Sequence, residues 1–164
     1  MLATLLMGAL MCAMNAAAET HNVTAYYESF APLVLYIEPG DTVRWTNMIA
    51  YNTVAQDALL PDGAVGWRSR IDEDFEITLD IEGVYPYLCE PYIHVGMFGV
   101  IVVGEPINLD AALAHGRENF KGFYRRILDL LDEVKLDSGA TIPKTGYGKD
   151  QRRIQRQDRQ QFVP

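Results

Sequence analysis

The chain has 164 residues, 49% of them hydrophobic, enough for one packed domain with extensions and too apolar for global disorder. Its net charge of −8 is uneven: residues 1–106 carry 3 basic and 14 acidic side chains, residues 107–135 carry 5 of each, and residues 136–164 carry 6 basic and 3 acidic. An acidic body argues against nucleic acid as a partner, whereas the basic tail suits an acidic protein or an anionic lipid surface.

Residues 1–18 (MLATLLMGALMCAMNAAA) contain no charged side chain and end in Ala16-Ala17-Ala18 before Glu19. This pattern predicts a signal peptide cleaved after Ala18. The alternative is an uncleaved membrane helix with the body on the outer face, since eighteen helical residues reach about 27 Å. Cys12 falls in this leader, which leaves Cys89 as a lone thiol in an exported body. His21, just past the leader, reads as linker or as part of an N-terminal metal grip.

Short strand-like runs follow, separated by turn signals. Val23–Tyr27, Leu33–Ile37, Thr42–Thr46, a weaker Tyr51–Val54, Phe75–Leu79, Val84–Cys89 and Met97–Val103 are the predicted strands. Residues 57–66, with Pro61-Asp62-Gly63, are predicted loop. Pro86 inside a run predicts an edge or a bulge. Trp45 is expected in the core and Trp67 at least partly buried. About seven short strands at this spacing predict an all-β sandwich over residues 22–104.

Leu109, Leu113, Gly116, Phe120, Phe123, Ile127, Leu130 and Val134 then step by four and three, an amphipathic helical stripe over 107–135. Asn108 or Asp110 would cap it, and a break near His115-Gly116 would make it two helices. The stripe would cover the sandwich or a partner. Residues 136–164 read as an extended basic tail, with Arg152, Arg153, Arg156, Arg159 and Phe162 as candidate partner-binding residues.

The stretch Tyr87-Leu88-Cys89-Glu90-Pro91-Tyr92-Ile93-His94-Val95-Gly96-Met97-Phe98-Gly99 resembles the copper loop of the cupredoxins, most of all pseudoazurin and plastocyanin. Glu38-Pro39-Gly40-Asp41-Thr42-Val43-Arg44-Trp45 resembles the family's strand ahead of the first histidine ligand, and Gly104-Glu105-Pro106-Ile107-Asn108-Leu109 resembles the opening of the C-terminal helices. The resemblance implies a Greek-key β-sandwich with a C-terminal α-helical segment. It puts the four copper-ligand positions at Tyr51, Cys89, Tyr92 and Met97, with tyrosine where the family has both histidines. A type-1 site wants two imidazoles and a thiolate with a weak axial thioether, and a phenol neutral at pH 7 is a poor substitute. The expectation is therefore no cofactor, with the two rings filling the cavity and Cys89 a small buried hydrophobe. The alternative is copper held by Cys89, His94 and Met97.

No phosphate loop, zinc-spaced cluster or catalytic triad is present, so no enzyme is expected. By analogy with the cupredoxins, the expected role is an accessory subunit on the periplasmic face of a bacterial respiratory or photosynthetic membrane complex, with protein subunits as partners and residues 1–18 as possible membrane contact. The competing role is a copper-binding or unusual redox protein.

Overall fold

A computed structural model describes residues 17–139. The predicted leader helix and the arginines and Phe162 of the tail lie outside the described residues. Among the described residues no helix is long and apolar enough to cross a membrane.

Among the described residues nine strands form two sheets. They are β1 (Thr20–Tyr26), β2 (Ser29–Ala31), β3 (Val34–Ile37), β4 (Asp41–Thr46), β5 (Val54–Ala55), β6 (Trp67–Arg68), β7 (Phe75–Leu79), β8 (Gly83–Leu88) and β9 (Phe98–Val103). One sheet has the order β2-β1-β4-β7, the other β3-β9-β8-β5-β6. β1 runs parallel to β4 and β3 parallel to β9, while the other pairs are antiparallel. The main core lies between the sheets, where β1 and β4 contribute alternate residues (Val23, Ala25, Val43, Trp45).

β8 and β9 are buried at all six of their residues. Their inner side chains, such as Tyr85, Tyr87 and Ile101, meet the sandwich core. Their outer ones, Val84, Phe98, Val100 and Val102, pack under two helices, α1 (Leu109–Asn119) and α2 (Arg125–Gly139). Burial on both faces is why these strands read as unbroken apolar runs. The helical stripe thus covers the sandwich: Leu109, Leu113, Ile127, Leu131 and Val134 all belong to this second core.

Several boundaries differ from expectation. β2 and β6 are too short to leave a periodic signal, and the weak strand sits at Val54–Ala55 instead of Tyr51–Val54. Pro86 is at neither an edge nor a bulge: it pairs with Val100 inside the sheet, and the two-residue β5 ends opposite Tyr87 before reaching it. Trp67 is buried, its Nε1–H donating to Thr53 Oγ1 at 3.2 Å. The helix break falls at the Gly122–Tyr124 turn, past the expected His115-Gly116 junction, and it resets the helical phase so that Phe123 is exposed. Gly116 lies inside α1, where a Cβ would come within 2.6 Å of Leu128 Cδ2, so glycine here permits close helix packing. Asn108 precedes α1 without capping it through its side chain. Its Oδ1 instead accepts from Val84 N at 2.7 Å, and its Nδ2 donates to the carbonyls of Leu59 and Val84 at 3.0 Å, tying the helix start to β8.

Asp41, at the start of β4, ties the chain's first strand down. Its Oδ1 accepts from Glu19 N at 2.8 Å, its Oδ2 accepts from Glu38 N at 3.1 Å, and Oδ2 lies 2.7 Å from His21 Nε2. Burial alone would raise this carboxyl, but the Glu19 amide, His21 and the Glu38 amide outweigh it and hold the group below its ordinary value. A depressed carboxyl contributes stability that is complete above the unfolded value of about 4 and is lost as pH falls through the lower folded value. Urea denaturation of Asp41→Asn should therefore show a loss of about 1–3 kcal/mol at pH 7, from two main-chain donors poorly served by an amide, and a smaller gap to wild type at pH 3.

Candidate metal centre

The four positions singled out by the loop motif converge at one end of the sandwich. Cys89 follows β8 directly and Met97 precedes β9, and both are 0% exposed. The connecting loop is short because residues 93–95 form one 3₁₀ turn, closed by Gly96 at φ +78°, a left-handed conformation that favours glycine. Main-chain bonds lock its ends, with Cys89 N donating to Met97 O at 3.0 Å and Met97 N to Tyr92 O at 3.2 Å.

The second loop comes from residues 47–53, between β4 and β5. Asn52, 2% exposed, spans the two loops: its Nδ2 donates to Glu90 Oε2 at 2.8 Å, and its Oδ1 accepts from Glu90 N at 2.9 Å. Arg68 completes the tie with an ion pair to the other Glu90 oxygen. This holds Tyr51 against Tyr92, ring centroids 5.0 Å apart at 38°. The Tyr51 hydroxyl donates to the Tyr27 carbonyl. Both tyrosines are half-buried and pack on the core that contains Cys89 and Met97.

Burial raises the Tyr51 phenol, helped by its neighbours Tyr92, Cys89 and Glu28, so Tyr51 stays neutral at pH 7. Burial also raises the Cys89 thiol. It is opposed by the main-chain N–H groups of Asn52 and Tyr92, which favour the thiolate, and assisted by Glu90. Two main-chain N–H groups beside a fully buried sulfur form a cradle suited to thiolate, while burial keeps the thiol protonated at pH 7.

His94 is placed differently from these four. It is exposed on the 3₁₀ turn and stacks on Tyr92, centroids 6.4 Å apart at 19°. A 3₁₀ turn does not carry residues 92 and 94 on one side as an extended strand would. Sequence reasoning missed Asn52 and Glu90, whose pairing spans 38 residues and leaves no local signal.

A β-sandwich that closes a buried thiol and thioether between two loops at one end is the cupredoxin architecture. The chain belongs to the copper binding proteins of the plastocyanin/azurin family, whose family model matches residues 17–104. The pseudoazurin of Paracoccus pantotrophus is 35% identical over 85 residues, covering 51% of this chain and 59% of that protein. A halocyanin of Natronomonas pharaonis is 34% identical over 82 residues, covering 46% of this chain and 48% of that protein. The chain thus spans somewhat over half the length of the pseudoazurins it matches. Among solved structures, a pseudoazurin from Sinorhizobium meliloti superposes with a TM-score of 0.63 and 30% identity, covering 71% of this chain and 97% of that one.

The expectation of no cofactor does not stand, because membership of a family of copper binding proteins overturns it. Copper is the metal against which these residues must be tested, and they fit it in part. The buried sulfurs of Cys89 and Met97, with the N–H cradle, suit the soft cuprous ion. The neutral Tyr51 phenol does not suit the cupric, two-imidazole arrangement of a type-1 site.

A buried, protonated thiol should be inert. Iodoacetamide at pH 8 should label Cys89 of the metal-free folded protein at least about tenfold more slowly than in urea, followed by mass spectrometry. Equal rates would show that the thiol is open to solvent.

Proposed function

We propose that this chain is an exported copper protein that carries cuprous copper on Cys89 and Met97, with Tyr51 and Tyr92 as a phenolic cover. The observation that carries this reading is that Cys89 and Met97 are both fully buried and joined by a 3.0 Å main-chain bond, with the main-chain N–H groups of Asn52 and Tyr92 favouring the thiolate. Soft thiolate and thioether donors select copper(I) among the common metals. Bound there, copper would supply a soft cation able to change oxidation state. The protein's own part is to take up the thiolate form of Cys89, to shield it from water and to keep competing oxygen donors neutral. His94 is a third donor available to the same loop if it leaves its stack on Tyr92.

Family membership favours this reading over that of a metal-free accessory subunit. Docking remains part of the proposal, because the same end of the molecule exposes apolar side chains. Tyr27 (72% exposed) accepts the Tyr51 hydroxyl at its carbonyl, and Ile49 (75%) and Ile71 (50%) flank Ala50 and Asp72, which are hydrogen-bonded to each other beside Tyr51. A protein partner that gives or receives copper or an electron would meet this face. The apolar leader supports export to the periplasm, with the protein free or anchored at the inner membrane.

Copper(I) affinity can be read by competition with a chromophoric chelator under reducing conditions. Wild type should take one equivalent, Cys89→Ser should take none, and Met97→Leu should bind on the order of tenfold more weakly. Because uptake displaces the thiol proton, affinity should fall as pH is lowered. The Tyr51→His, Tyr92→His double variant should gain an intense thiolate-to-copper absorption with copper(II) that wild type lacks. Wild-type binding unchanged by Cys89→Ser would overturn the proposal.

A further inference from the structure

Among the described residues no group of three or more His, Cys, Asp or Glu side chains could hold a metal. Main-chain nitrogen offers a different donor set at the start of the exported body. Removal of the leader after Ala18 would leave the sequence Glu19-Thr20-His21 at a free α-amine. A histidine third from a free amine lets four nitrogens close fused chelate rings in one plane: the amine, the amides of residues two and three, and imidazole Nδ1. Such a nitrogen square suits copper(II) and nickel(II). Neither Thr20 nor His21 is proline, so both amides carry a proton to give up.

The fold holds this tripeptide in a telling way. Asp41, 6% exposed, bonds both of its ends: Oδ1 to Glu19 N at 2.8 Å and Oδ2 to His21 Nε2 at 2.7 Å. A carboxylate on Nε2 puts the ring proton there and leaves the lone pair on Nδ1, the nitrogen that chelation needs. Histidines that bind metals are commonly oriented by such a carboxylate on their other nitrogen. On one side Thr20 and His21 pair with Thr42 and Val43 of β4, and the Glu19 carbonyl accepts from Thr42 N at 2.8 Å, so uptake of an ion lifts the tripeptide from β4 for both amides to face the metal. The other neighbour of β1, β2, pairs only with Thr24–Tyr26, so the first residues of β1 keep an open edge.

We infer that the processed N-terminus is a second metal site, taking one copper(II) or nickel(II) ion on the nitrogens of Glu19, Thr20 and His21, with Asp41 as a positioning residue. The inference rests on the export reading above and not on copper at Cys89. Binding releases one proton from the α-ammonium and one from each amide, so uptake is favoured by rising pH.

The test uses the full precursor exported in a bacterial host, with Cys89→Ser to silence the thiol, and copper(II) sulfate as the probe. The isolated protein should begin at Glu19 by mass spectrometry. It should bind one equivalent of copper(II) with the ligand-field absorption and electron paramagnetic resonance of a square-planar, four-nitrogen site. His21→Ala should weaken binding on the order of a hundredfold or more. A form with one glycine inserted ahead of Glu19 leaves the folded body unaltered and should lose the four-nitrogen signature equally. A protein that starts at Glu19 and binds copper(II) equally well in both variants overturns the site and leaves the Cys89 reading untouched. A protein that starts elsewhere overturns both the site and the processing on which it rests.

Discussion

The arrangement at the metal end of this molecule depends on one residue pair, Asn52 with Glu90. Two hydrogen bonds of 2.8 and 2.9 Å join loops that are 38 residues apart in sequence. Asn52 is almost wholly buried, so losing it would strand Glu90 N, a buried main-chain donor, without its partner. The pairing does more than close a loop. It sets Tyr51 against Tyr92, and it holds the Asn52 main chain beside Cys89, where its N–H favours the thiolate.

The rest of the fold supplies the stiffness that this end requires. Cys89 and Met97 hang from the ends of β8 and β9, the two strands buried on both faces. On the inner side an aromatic group that includes Trp45, Trp67 and Tyr87 fills the sandwich, with Trp45 and Tyr87 meeting edge to face at 5.3 Å. On the outer side α1 and α2 press against Val100 and Val102. The helices thus steady the metal loop from behind, and Arg126 of α2 lies against Gly96 of that loop, its Cδ within 3.0 Å of any Cβ added there. A ligand loop short enough to be closed by one 3₁₀ turn has little freedom of its own, which suits a preformed site better than an induced one.

Much of this was legible in the sequence, and for identifiable reasons. The sandwich core showed in the alternation of TVRWT and in the unbroken apolar runs of β8 and β9, because period two and double burial leave direct composition signals. The grouping of Tyr51, Cys89, Tyr92 and Met97 was what the resemblance to the cupredoxins implied. What the sequence could not show is long-range or phase-dependent. The Asn52–Glu90 tie, the Asp41 clasp and the Asn108 cross-link join residues whose neighbours in sequence carry no periodic mark. The exposed Phe123 was misread because a glycine turn broke the helical phase that the stripe assumed. The expectation of no cofactor weighed the two missing imidazoles above the sulfur pair, which stood only as the alternative with His94, and the surroundings of those sulfurs emerge only in three dimensions.

The central claim is that copper here is a sulfur-bound cuprous ion. X-ray absorption at the copper edge of the full chain, loaded with one equivalent under reducing conditions, addresses it directly. The spectrum should show two sulfur scatterers, one lost in Met97→Leu, with no oxygen scatterer assignable to a phenolate. A shell of nitrogen and oxygen alone, or no copper retained at all, would contradict it.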